Sequence, residues 1–258
     1  MKAQRGPGRE PRATLDKLRT MIWMATVLAA SRLTPGQVEA LLEPERVRRE
    51  GGRTIRPRKW DRYAVGAHDP TDVGERSPVT LADARWPGTA AWYRSPIWRA
   101  LDPKPVTEAE AELLLYRIGS LRHVLFVPSR WNPSVLQPAQ LDPKLLAAIV
   151  GVGGLDALAV ALVWARQAEA IHSPPLRETA LRLYRHLQPQ FEVLPGMHAH
   201  AANLFLLIDT SINEWVYPDI GSQMKVTIFS AEIRKAQPSD DSRASSVGNA
   251  SDHGSNPT

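Results

Sequence analysis

Apolar residues recur at helical spacing over most of this chain. In 15–30, Leu15, Leu18, Ile22, Met24 and Leu28 are set among long side chains, which predicts a first helix. Thr34 is a good N-cap and Pro35 suits a first helical position, so a second helix should run to about residue 43 and stop at Pro44. A third is predicted over 58–65, closed by Gly66 in the left-handed position. Thr107 and Glu110 have capping-box spacing and open a helix expected to reach about residue 121. The apolar segment 124–127 reads as a strand or a last helical turn. Asp142-Pro143 opens a helix broken at Gly151, Gly153 and Gly154; further helices are predicted over 155–171, from Ser173-Pro174-Pro175 to about 187, and over 199–215. Residues 223–233 alternate in places, through Val226 and Ile228, and lean towards strand.

The expected class is therefore mainly α, with room for one short strand pair. Five segments are expected: a disordered basic arm (1–12), an N-terminal module (13–72), a connector rich in Pro and aromatics (73–105), a multi-helix domain (106–236) and a disordered tail (237–258). Pro70, Pro78, Pro87, Pro96, Pro103 and Pro105 argue against long regular elements in the connector. Trp86, Trp92, Tyr93 and Trp98 argue that it is nevertheless packed. The apolar stretch 145–164 approaches the length of a membrane span. Asp156 and the three glycines make two buried helices meeting at a turn the expected reading, and no membrane partner is anticipated. The shorter run 21–30 follows Glu10 and Asp16 and continues into Arg32, so a helix is expected there rather than a signal peptide.

An apolar fraction of 43% is enough for a sizeable core. The absence of cysteine excludes disulfides and thiolate chemistry and suits a cytoplasmic setting. The formal net charge is +5, and the basic excess is local: residues 45–62 hold eight cations against three carboxylates. Such a cluster suits an anionic partner.

Thr34, Val38 and Leu42, then Trp60, Tyr63, Gly66, Pro70 and Thr71, resemble the two DNA-facing helices of the Xre, or lambda-repressor-like, helix-turn-helix family over residues 33–71. Three departures mark the chain. The tight turn of that family is replaced by residues 44–56 with Gly51-Gly52 in the middle, its helix-crossing Ala by Glu39, and the acidic residue before its Gly by Ala64-Val65. The resemblance implies a bacterial or mobile-element regulator that binds double-stranded DNA, with a homodimer as the expected assembly for two half-sites. It would set Arg58, Lys59 and Arg62 on the recognition helix with Trp60 and Tyr63 inward, and Arg46, Arg48, Arg49, Arg53 and Arg56 along phosphates. A helical adaptor with an acidic partner is the alternative.

A nucleic-acid-processing enzyme, with carboxylates of the C-terminal domain as its active centre, is the less expected class. Asp209, Glu214, Asp219 and Glu232 are scattered carboxylates, and no nucleophile-turn motif is present. His186, His198 and His200 lack ligand spacing, so no metal is expected, and Gly151 to Gly154 lack the Lys-Ser/Thr of a phosphate loop, so no cofactor is.

Overall fold

The computed structural model describes residues 13–216; the expected arm, tail and 223–233 strand lie outside them. Helix α1 (Thr14–Ser31) is shared by two apolar cores. Leu18 and Ile22 join the larger core, while Trp23, Met24 and Val27 join the smaller one. Arg32, in the left-handed conformation, ends the helix by donating its N–H to Leu28 O at 2.8 Å. Helix α2 (Pro35–Leu42) opens with a reciprocal capping box. The Gln37 N–H reaches Thr34 Oγ1 at 3.4 Å, and the Thr34 N–H reaches Gln37 Oε1 at 2.9 Å.

The segment expected as a long turn is a β-hairpin, β1 (Arg48–Glu50) and β2 (Arg53–Ile55), paired antiparallel with Glu50 opposite Arg53. Gly51 and Gly52 both take positive φ, 55° and 77°, as a two-residue hairpin turn demands. Helix α3 (Lys59–Ala64) follows.

The connector is more regular than its prolines suggested. It carries α4 (Pro78–Arg85), α5 (Thr89–Arg94) and α6 (Ile97–Ala100). Pro78 occupies the first turn, where it has no bond to lose, and Ser77 caps it by accepting from the Thr80 N–H at 3.1 Å. Pro96 directly precedes α6. The segment bridges both cores: Val79, Ala82, Ala90 and Tyr93 complete the smaller one, Ile97, Trp98 and Leu101 the larger.

Helix α7 (Glu108–Tyr116) is capped by Thr107, but Glu110 does not close the box; its carboxylate takes two bonds from Arg99, at 2.6 and 2.9 Å. After α8 (Arg122–Leu125), strands β3 (Phe126–Pro128) and β4 (Leu136–Pro138) form a second hairpin. The mainly α class stands, with two short strand pairs among the described residues.

Helices α9 (Pro143–Val152) and α10 (Gly154–Ala170) divide the long apolar stretch. Helix α10 is buried on nearly all sides, as expected for the central rod of a helical core. Its Arg166 is buried too and donates to Ala100 O at 2.7 Å and Asp102 O at 2.9 Å, tying the core to the end of α6. The amphipathic α11 (Pro174–Leu187) turns Leu176, Ala180, Leu183, Tyr184 and Leu187 inward, and α12 (Ala201–Val216) packs beside it. No helix among the described residues is long and apolar enough to cross a membrane.

The break between α9 and α10 rests on Gly153, at φ 64° and ψ −160°, a region open essentially to glycine alone. Gly153→Ala should cost about 1–3 kcal/mol, read as a lower midpoint in urea unfolding.

Candidate nucleic-acid interface

Glu39 lies in α2 and Glu43 is the residue that caps its end, one turn on, with its N–H given to Glu39 O. Both are buried, at 0% and 5% exposure. A buried carboxylate must be paired and hydrogen-bonded, and the chain between α2 and α3 supplies the partners. Glu39 Oε1 accepts from the Lys59 N–H at 3.0 Å, and Oε2 accepts from Arg56 Nη1 at 2.8 Å. Glu43 Oε1 accepts from Lys59 Nζ at 2.5 Å, and Oε2 accepts from Trp60 Nε1 at 2.8 Å.

The Arg56 guanidinium forks onto both oxygens of Asp61, with Nη2 3.0 Å from Oδ1. These bonds, to Asp61 first and Glu39 second, push the Arg56 pKa above its ordinary value, and the Arg56 bond holds the Asp61 carboxyl below its own. Arg56 also lies against α2, where a Cβ at Gly36 would stand 2.9 Å from its guanidinium carbon.

Aromatic packing closes the inner side. Trp60 and Tyr63 face inward, as the helical spacing requires. Their rings stand 5.8 and 5.9 Å from Trp23, which also meets Tyr93 at 5.8 Å. Burial, helped by the charge on Glu43, pushes the Tyr63 hydroxyl up to about 12.

The basic residues fall into two sets. Arg56 and Lys59 are engaged inside the fold. Arg48, Arg49 and Arg53 stand on the hairpin, where every residue from 48 to 55 is exposed. Arg48 and Arg53 share one face of the ribbon with Glu50 and Ile55, and Arg49 occupies the other with Thr54. Among the described residues no carboxylate pairs with Arg48, Arg49 or Arg53, and Arg58 makes no ion pair, though its charge helps hold the Asp61 carboxyl low.

Arg58 is exposed and precedes α3 in the left-handed conformation, at φ 57°. Arg62 is exposed and donates to His68 Nε2 at 3.1 Å. Arg46 is exposed, with Nε 3.5 Å from Glu43 and 3.9 Å from Glu45. Helix α3 has only six residues and spends Lys59, Trp60, Asp61 and Tyr63 on the fold, so the outward cations concentrate on the ribbon.

The sequence pattern pointed to the cations and missed the two carboxylates that organise them. The available signal was Glu39 itself, a carboxylate where the helix-turn-helix resemblance leads one to expect an Ala. Elsewhere, no group of three metal-ligating side chains occurs among the described residues. Burial holds the His200 pKa below its usual value. Asp219 and Glu232 lie outside the described residues. Comparison with known proteins yields no likeness: no family model matches the sequence, and no curated protein or solved structure matches it.

Arg56→Ala should cost about 2–4 kcal/mol in urea unfolding, because it leaves a buried carboxylate short of its counter-charge. Arg49→Ala should stay within about 0.5 kcal/mol. The Asp61 pKa is depressed in the folded state, so its contribution is complete above the unfolded value of about 3.9 and is lost as pH falls through the folded value. The stability gap between wild type and Asp61→Asn should be constant from about pH 5 to 7 and shrink below about pH 4 in an acid unfolding series.

Proposed function

We propose that this protein binds double-stranded DNA through the arginine-bearing ribbon of residues 48–55. The observation that carries the reading is the set of three unpaired guanidiniums, Arg48, Arg49 and Arg53, on a two-stranded element exposed along its whole length. The major groove of B-DNA admits a two-stranded ribbon as readily as a helix. Arg46, Arg58 and Arg62, exposed at its base, extend the basic surface towards flanking phosphates. This assigns the ribbon the role the helix-turn-helix resemblance would give to α3, whose own cations are partly spent on Glu43. A cytoplasmic bacterial or mobile-element regulator, binding two half-sites as a homodimer, is the setting that fits such a contact.

A second reading, as a helical interaction protein, is favoured by the other hairpin. Trp131, in the loop joining β3 to β4, is 96% exposed, and Val135 and Leu136 beside it are open to solvent. Exposed apolar groups of this kind suit a protein partner.

Fluorescence anisotropy on a random duplex, across a salt series, separates the two. Binding through the ribbon should give a log–log salt slope of about −3 to −5, corresponding to three to six phosphate contacts. Replacing Arg48, Arg49 and Arg53 together by Gln should weaken binding about tenfold or more and flatten the slope by about 2–3. A folded wild-type protein with no affinity at low salt would refute the DNA reading and leave the interaction protein.

A further inference from the structure

A cleft of about 410 Å³ opens where α1, α5, α6 and α7 meet. Four arginines line it: Arg19 from α1, Arg94 at the end of α5, Arg99 on α6 and Arg117 at the end of α7. Two of them are neutralised where they stand. Arg94 forks onto Asp72 at 2.7 to 3.1 Å, and Arg99 is held by Glu110 and by the carbonyls of Lys104 and Pro105.

The other two keep their charge. Arg19 donates Nε to Tyr93 O at 2.8 Å and stacks 3.8 Å from the centre of the Tyr93 ring, which fixes its plane without a carboxylate. Arg117 has neither a side-chain hydrogen bond nor an ion pair among the described residues. Apolar side chains share the lining with these cations: Leu113 is half exposed, and Leu114 and Trp98 are mostly buried. The Trp98 N–H is already given to Trp92 O at 2.7 Å.

We propose that this cleft is a binding site for a small organic phosphate. Two uncompensated guanidiniums match the charge of a phosphate dianion, and the planar donors of arginine suit its oxygens. A single carboxylate would neutralise only one of them. The apolar lining of Leu113, Leu114 and Trp98, with the Trp98 N–H already satisfied, fits an organic body rather than a bare anion. The volume lies within the range of small-ligand pockets. The site does not involve the ribbon and stands whether or not the ribbon contacts DNA.

Isothermal titration of the full chain with AMP, adenosine and inorganic phosphate tests this. AMP should bind saturably, and both adenosine and inorganic phosphate at least about tenfold more weakly, since each supplies half of the contact. Arg117→Gln, a change at an exposed side chain, should weaken AMP about tenfold while leaving the unfolding midpoint unchanged. The Gln triple variant at Arg48, Arg49 and Arg53 should bind AMP as wild type does. Four results would overturn the proposal: no saturable AMP binding at millimolar concentration, inorganic phosphate or adenosine binding as tightly as AMP, affinity untouched by Arg117→Gln, or affinity lost in the ribbon variant.

Discussion

Two carboxylates one turn apart at the end of α2, Glu39 within it and Glu43 as its cap, are out of water, and the chain from 56 to 61 is arranged around them. Glu39 and Glu43 cannot be buried unpaired. Arg56, Lys59 and the Trp60 indole answer them, and Asp61 holds Arg56 from the far side. The result is a polar clasp between α2 and α3 that fixes both ends of the intervening hairpin. The ribbon makes its turn with two glycines and carries no buried residue of its own, so its bearing on the body is set at its base.

The clasp also sorts the charges. Of the cations clustered in 45–62, Arg56 and Lys59 meet acids inside the fold, while Arg48, Arg49, Arg53 and Arg58 are left for solvent or a partner. A buried ion pair is poor evidence for stability by itself, because desolvation cancels much of the attraction. Its use here is orientation. It holds α3 in the place where Trp60 and Tyr63 reach Trp23, and α1 carries that aromatic contact on to the larger core through Leu18 and Ile22.

Local signals in the sequence were enough for most helices. Thr34-Pro35, Asp142-Pro143 and Ser173-Pro174 name their own starts, because capping chemistry is read within four residues. Gly153 was legible for the same reason, since an apolar run with glycines in its middle cannot be one rod. What could not be read was long-range pairing. Arg56 looks like its basic neighbours until Glu39 and Asp61 are seen around it. Glu110 has the spacing to cap its own helix yet serves Arg99. The connector's prolines argued for irregular chain, but Pro78 after Ser77 starts a helix. The cleft of four arginines comes from 19, 94, 99 and 117, residues too far apart for any sequence window to join.

The clasp sets the bearing of the ribbon, and the ribbon is the proposed contact with duplex DNA. Hydrogen–deuterium exchange of the full chain, with and without a random duplex at low salt, tests it most directly. If the ribbon binds DNA, slowed exchange is expected in residues 46–58, with little change in α9 to α12. Slowing confined to the helical core or to the second hairpin, with 46–58 unaffected, would contradict it.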